Sequence, residues 1–309
     1  MIDILIPTYN RSKDLLKNIK HIDSLIETEK LTDKFRIIIS NNASTDDTSI
    51  TLEKIKNEVN IQLIIYQQKQ NIGLEKNAVF VLENATSDYV MFLGDDDYLP
   101  NNYLTELVAI ADFKKYGLVI PGFSALMPDG EIKKGRIDFK SREHIAGFKA
   151  VKDLSSFGHQ LSGLFFKRKD VVEAYTSDFK NRNIYLFIFF ISYVMLKEKS
   201  IYLPEYQVLV TQGNSKDWSY DDSGLLTEIF KNYYALYPDA RLKALNLCLN
   251  FIRKQSWRLR LRNPLLAKKS FMHLVTSQNV NPFLKFILPV FYPYLYLEKT
   301  LSIVTRKIQ

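Results

Sequence analysis

The first 120 residues alternate between short β-rich runs and amphipathic helical stretches. Strand-like runs lie at Ile2–Ile6, Phe35–Ser40, Ile61–Gln67, Tyr89–Leu93 and Leu118–Phe123. Helical patterns fill the gaps, roughly Arg11–Thr28, Asp46–Val59, Leu74–Asn84 and Asn101–Phe113. Strands separated by helices of this length imply βαβ units, right-handed connections and a mainly parallel sheet. Ligands of such sheets bind beyond the carboxyl ends of the strands. The segments that leave each strand are therefore where function should be sought.

Four polar motifs occupy those segments. Pro7-Thr8-Tyr9-Asn10-Arg11 follows the first strand, Asn41 to Thr48 the second, Asn71-Ile72-Gly73 the third and Gly94-Asp95-Asp96-Asp97 the fourth. Three adjacent carboxylates behind a buried strand repel one another and are costly near apolar surface. Mg²⁺ or Mn²⁺ would relieve that cost, because hard cations bridge one or two carboxylates to a substrate's phosphates. The plain alternative is a solvated acidic turn. Asn41 and Asn42 carry amide donors and acceptors suited to a nucleobase edge. Ser44-Thr45-Asp46-Asp47 reads as a capping box, with Ser44 capping a helix and Asp47 reaching back. Gly73 supplies a turn, and Lys76 is either a solvated helix residue or a cation facing a diphosphate.

Taken in this order, the four motifs resemble the family-2 glycosyltransferases of the GT-A fold. The resemblance covers residues 1–125 strongly and 155–215 weakly. It implies an α/β, Rossmann-like catalytic domain over 1–215 that binds a nucleotide sugar, followed by a helical region over 216–309. Pro7, Thr8 and Tyr9 would line the base and ribose pocket. Asn42 would contact the base, Lys76 would lie near the diphosphate or donor sugar, and Asp95 would approach the ribose or sugar. Asp96 would hold the metal, Mn²⁺ or Mg²⁺, with Asp97 a ligand through water or a support for one. Asn41-Asn42 stands where the family has Asp-Asp, which favours a UDP donor. The family's Glu-Asp pair, whose carboxylate deprotonates the acceptor hydroxyl in inverting enzymes, is missing. The nearest acid is Asp178, 82 residues beyond Asp96; Glu205, Asp217 and His159 are alternatives. The implied reaction is a single displacement that inverts the anomeric carbon.

Beyond residue 123 the pattern is less regular. Ser162–Phe166 reads as a strand, Ile201–Val210 as extended, and Ile184–Leu196 as an apolar run of 13 residues, the length of a buried helix rather than a membrane span. Helices are predicted at Gly224–Tyr237, Ala240–Leu261, Pro264–Thr276 and Pro282–Lys307. From Arg241 to Gln309 there are 13 Lys/Arg and one acid, Glu298, a net of +12. The remainder holds 42 − 13 = 29 basic and 34 − 1 = 33 acidic residues, so the overall +8 belongs to the tail. Basic residues mixed with Trp257, Phe283, Phe286, Phe291, Tyr292, Tyr294 and Tyr296 suit an anionic membrane surface. The same residues also permit an ordinary helical subdomain whose aromatics pack inward. The lone cysteine, Cys248, excludes an internal disulfide, and no signal peptide is visible after Met1. The expected setting is cytoplasmic, peripheral at the inner face of the cell membrane, with a glycan or polyprenyl-diphosphate-linked acceptor in bacterial surface-polysaccharide synthesis. Two other readings compete: a nucleic-acid-binding protein using the basic tail, disfavoured by the acidic cluster, and a catalytically inactive relative that only binds. A nucleotidyltransferase fits worst, since the first loop has no glycine.

Overall fold

The computed structural model describes residues 1–136, 138, 140–177, 180, 182–213 and 227–308, with side chains as far as residue 299. Its first half follows the alternation in the sequence: β1 (Ile2–Thr8), α1 (Ser12–Thr28), β2 (Phe35–Asn41), α2 (Thr48–Ile55), β3 (Gln62–Gln67), α3 (Leu74–Glu83), β4 (Tyr89–Phe92), α4 (Tyr103–Asp112) and β5 (Leu118–Leu126). Then come β6 (Ile132–Lys134), β7 (Arg142–His144), α5 (Phe148–Leu154), β8 (Phe165–Lys167), α6 (Val171–Thr176), α7 (Leu186–Lys197) and β9 (Ser200–Thr211). The last helices are α8 (Ile229–Leu236), α9 (Arg241–Lys254), α10 (Pro264–Thr276) and α11 (Pro282–Ile308). Met1–Phe179 with Leu186–Lys216 forms one compact unit, and Lys180–Tyr185 with Asp217–Gln309 a second.

The first unit is built on one sheet in the order β3-β2-β1-β4-β8-β5-β9-β7, with β6 paired to β5. β3, β2, β1 and β4 are mutually parallel. β8 runs against both β4 and β5, so β5 and its parallel partner β9 share the direction of the first four strands. The fold is thus α/β and mostly parallel in strand direction. Alternation along the strands divides the apolar residues between two faces. Ile4, Ile6, Ile37, Ile39 and Met91 pack under α1, α2 and α4. α1 meets them with Leu15, Ile19, Ile22 and Ile26, spaced by three and four residues. On the other face Phe92 meets Phe187, ring centroids 4.8 Å apart, and Phe166 meets Phe190 at 6.1 Å. α7 has apolar residues all round and is buried along nearly its whole length, as a helix without a polar face must be.

Two local expectations change. β1 continues through Pro7 to Thr8 because Thr8 stays in register with Asn41 of β2. The capping box does not form. α2 starts at Thr48, and Asp46 is the carboxylate that accepts from the Thr48 amide at 3.0 Å. Ser44 is engaged elsewhere: it donates to Asn41 Oδ1 at 2.5 Å and accepts from the Asn10 amide at 2.9 Å.

In the second unit α10 has the predicted bounds and α11 nearly so, whereas α8 and α9 are shorter than the predicted helices. α9 ends at Lys254, and the chain turns through Ser256–Leu259 before Arg260 at φ 51°. The tail's aromatics divide: Phe251 and Tyr292 are buried, while Trp257, Phe283, Phe286, Tyr294 and Tyr296 stay exposed. Among the described residues no helix is long and apolar enough to cross a membrane.

Candidate active site

Parallel pairing brings the four motifs to one edge of the sheet. The Asn42 amide bonds to the Thr8 carbonyl at 2.9 Å, and the Leu93 amide to the Leu5 carbonyl at 3.0 Å, so the loops after β1, β2 and β4 leave side by side. Asp95, Asp96 and Asp97 lie in the turn that follows β4, and all three are buried. Their surroundings differ. Asp95 accepts from the Thr8 hydroxyl at 2.8 Å and has the Arg11 Nε at 3.8 Å. Asp97 accepts from the Ser162 hydroxyl on one oxygen and from the Thr211 amide, at 2.9 Å, on the other. Gln160 adds a third hydrogen bond to Asp97. The Asp96 carbonyl accepts from the Thr211 hydroxyl at 2.5 Å.

The turn is fixed from several sides. The Ser162 hydroxyl also accepts from the Gly94 amide at 2.9 Å. A Cβ on Gly94 would stand 2.7 Å from Asp97 Oδ2, so glycine is what allows that carboxylate so near the backbone. Asn18 of α1 donates to the Gly94 carbonyl at 3.2 Å and to the Asp97 carbonyl. Tyr98 exchanges backbone hydrogen bonds with Leu209 of β9, both at 2.9 Å.

Burial, and then the charge of Asp96, pushes Asp95 up to about 7 and Asp97 likewise to about 7. Three carboxylates held this close call for positive charge, of which Arg11 supplies part. Among the described residues no three or more His, Cys, Asp or Glu are grouped as a protein-only metal cage. The donor set nevertheless fits Mg²⁺ or Mn²⁺, which commonly take one or two carboxylates and complete their shell with phosphate oxygens and water. Thr8 and Arg11 meet the Asp95 carboxylate, and Ser162 and the Thr211 amide meet that of Asp97.

The other expected residues lie at the ends of β1 and β2 and at the start of α3. Pro7 and Thr8 end β1, and Tyr9 is exposed beyond them. Asn42 is buried, and its side chain joins two loops: it donates to Asn71 Oδ1 at 3.0 Å and accepts from the Ile72 amide at 2.8 Å. These two bonds use one amide hydrogen and one lone pair of the Asn42 side chain. Asn77 ties α3 to the end of β2, accepting from the Ser40 hydroxyl at 2.7 Å and donating to the Ser40 carbonyl at 3.0 Å. Lys76 is exposed on the first turn of α3. Gly73 precedes that turn at φ 84°, a left-handed conformation that glycine adopts freely.

The candidates for a base separate. Asp178 and Asp217 lie outside the described residues. Glu205 is exposed on β9 and interacts electrostatically, as do Glu106 and Glu29, with Tyr206 on the α1–α4 side of the sheet. His159 is exposed next to Gln160, with Nδ1 2.7 Å from the Ser156 carbonyl.

The fold has known counterparts. The family model "Glycosyl transferase family 2" matches residues 3–173. The chain belongs to that family. Abequosyltransferase RfbV from Salmonella typhimurium is 33% identical over 112 residues, which is 36% of this chain and 33% of RfbV. The match thus spans about a third of that relative's length. Among solved structures, a fragment of S. aureus TarS (residues 1–349) in complex with UDP-GlcNAc superposes with a TM-score of 0.66 at 16% identity, covering 100% of this chain and 92% of that one. The mannosyltransferase PcManGT from Pyrobaculum calidifontis, in complex with GDP-Man and Mn²⁺, gives 0.56 at 13% identity, covering 94% and 78%. At such identities the likeness is one of fold, and the fold is GT-A.

The family-2 match spans Thr8, Asn42, Lys76, the acidic turn and Ser162, but stops five residues before Asp178. Sequence reasoning missed Arg11, Asn18, Gln160, Ser162 and Thr211. Arg11 was legible as the residue closing the first motif. Ser162 and Thr211 lie 65 and 114 residues from Asp97, and only the sheet order brings them to it.

Proposed function

We propose that this chain is an inverting, divalent-metal-dependent glycosyltransferase. It moves a hexosyl or N-acetylhexosaminyl group from a nucleoside-diphosphate sugar, UDP-linked, to a hydroxyl of a glycan or lipid-linked acceptor in bacterial surface-polysaccharide synthesis. One observation carries the reading: a buried run of three carboxylates closes the edge of the sheet where Thr8, Arg11 and Asn42 also emerge. In this reading Pro7, Thr8 and Tyr9 form the wall of the nucleoside pocket, and Asn42 shapes it by holding the Asn71–Gly73 loop. Asp95, oriented by Thr8 and Arg11, receives hydroxyls of the ribose or sugar. Asp96 holds the cation, and Asp97 keeps the turn in place. Bound there, Mn²⁺ or Mg²⁺ would supply positive charge to the departing diphosphate. Lys76 adds charge from the start of α3.

A thermal-shift panel of nucleotides with and without Mn²⁺ tests the donor site. UDP or a UDP-sugar is expected to raise the melting temperature in a metal-dependent manner and more than GDP does. At a hundredfold excess over Kd the stabilisation is about 2.7 kcal/mol. A chain that no nucleotide stabilises, with either metal, would sink the reading.

The acceptor hydroxyl needs a base, and we assign that role to Asp178. It takes the proton as the acceptor oxygen attacks the anomeric carbon and the nucleoside diphosphate leaves from the opposite face. Asp178→Asn is expected to lower kcat by roughly 10²–10⁴-fold with little change in donor KM. His159→Gln is expected to stay within a few-fold of wild type. If the two variants exchange these behaviours in steady-state assays, His159 is the base instead. The net positive second unit, finally, is read as the part that meets an anionic membrane surface, which is where a lipid-linked acceptor would be found.

A further inference from the structure

α11 carries two apolar stripes on opposite sides. Leu284, Leu288, Tyr292 and Leu295 are buried against the second unit's own core. Phe283, Phe286, Val290, Tyr294 and Leu297 are exposed, at 48, 80, 77, 54 and 60%. Their spacing of three, four, four and three residues sets them on one outward face of the helix. Helices on a protein surface normally turn a polar face outward, and an exposed apolar row of this length marks an interaction surface.

At its N-terminal end the row runs into a cleft. Phe283 and Leu284 line one side of a cavity of about 440 Å³, and Tyr234, Tyr237, Leu242 and Leu245 line the other. This volume falls within the ~300–1,000 Å³ of ligand pockets. Among the described residues Arg241 is the one charged residue lining it, and Lys243 lies over the Tyr237 ring at 5.7 Å. The mouth is therefore basic and the interior apolar.

The charge around these features decides what covers them. The one acid from Arg241 onward, Glu298, is paired with Arg253. From Arg241 onward the remaining charge is cationic, and it outweighs the five acids between Asp217 and Ala240, so a partner that meets α11 must combine apolar depth with negative charge at its surface. An anionic phospholipid bilayer has that structure: acyl chains beneath a layer of phosphates. Aromatic rings along the row suit the boundary between the two layers.

We propose that the outer row of α11 lies in the interface of an anionic bilayer and that the cleft takes one lipid chain, with Arg241 and Lys243 at its phosphate. The assignment rests on the membrane-surface reading given above and specifies the residues that carry it.

The test is sedimentation of the full chain with vesicles of phosphatidylcholine alone or with phosphatidylglycerol added. Wild type, Phe286→Glu with Val290→Glu, Arg241→Ala with Lys243→Ala, and the cleft-filling Leu245→Trp are compared. UDP-dependent thermal shift in the absence of lipid serves as the check that each variant retains its fold. Wild type is expected to bind only the anionic vesicles. The double glutamate variant is expected to lose at least about tenfold in binding, the double alanine variant several-fold, and Leu245→Trp several-fold without a change in salt dependence. If wild type binds neither vesicle, the membrane reading fails and the assignment with it. If wild type binds and the double glutamate variant binds equally well, the membrane reading stands and α11 is not the surface. If light scattering shows a lipid-free dimer that the same glutamates dissociate, the row is a contact between copies and the proposal is overturned.

Discussion

Asp96→Asn is expected to reduce sugar transfer by about 10³-fold, equivalent to about 4 kcal/mol of lost transition-state stabilisation. The reason lies in how the three carboxylates are distributed. Thr8 and Arg11 bind the Asp95 carboxylate, while Ser162 and the Thr211 amide bind that of Asp97. What Thr211 takes from Asp96 is its backbone carbonyl, which the substitution leaves in place. Asparagine also keeps the size of the side chain and one oxygen acceptor, so the turn should hold its shape while losing a charge. Asp96 is also the second-largest cause, after burial, holding Asp95 and Asp97 at about 7. Its removal relieves both, and the melting temperature of the ligand-free chain is expected to stay level or rise. The pairing of the two readouts makes the experiment decisive. Loss of transfer, loss of the Mn²⁺-dependent nucleotide shift and an undiminished melting temperature together identify Asp96 as a metal ligand. Transfer within tenfold of wild type would remove Asp96 from that role. A wild type inactive across a broad donor panel would favour a chain that only binds.

Much of this site was legible because it is local. Each of the four motifs directly follows a strand, and parallel pairing alone brings Thr8, Asn42 and Asp95 to the same edge. What could not be read were the partners supplied by distant parts of the chain. Ser162 arrives just before β8, an antiparallel strand inserted between β4 and β5, and nothing in the apolar residues around it announces a contact with Asp97. Thr211 arrives at the end of β9, whose register with β5 shifts between Pro121 and Gly122. The short strands β6 and β7 and the helices α5 and α6 were also unread, since three to seven residues give too little periodicity to separate strand from helix. The capping box failed for a related reason. Ser44 matched the pattern, but the loops after β1 and β2 claim its hydroxyl, and the neighbouring Asp46 takes over the start of α2.

The largest effect on stability is expected far from that edge, at Asp3. This carboxylate is fully buried at the opposite end of β1, about 16 Å from Thr8 at the ~3.3 Å rise of a strand. It accepts from Arg36 Nε at 2.6 Å and Nη2 at 3.0 Å, from the amides of Thr86 at 2.8 Å and Ser87 at 2.9 Å, and from the Ser87 hydroxyl at 2.7 Å. Burial alone would raise its pKa. The Arg36 guanidinium and the Ser87 and Thr86 donors outweigh burial and hold it below 3.8. Asp3→Ala removes the acceptor of two guanidinium nitrogens, two amides and a hydroxyl and leaves Arg36 its bond to Thr86, and breaking a buried pair in this way costs about 3–5 kcal/mol. For a unit of this size the melting temperature should fall by roughly 6–20 °C. The pH dependence follows from the depressed pKa: the contribution is complete above 3.8 and is lost as pH falls through the lower folded value. Wild type and Asp3→Ala should therefore differ by a constant amount from neutral pH down to about 4 and converge in stronger acid. At neutral pH and low temperature, where both are folded, transfer per molecule should be the same, because Asp3 lies at the end of the sheet away from the acidic turn. Urea titrations across pH supply the measurement. A gap that persists undiminished well below pH 3 would mean that Asp3 acts through packing rather than through its charge.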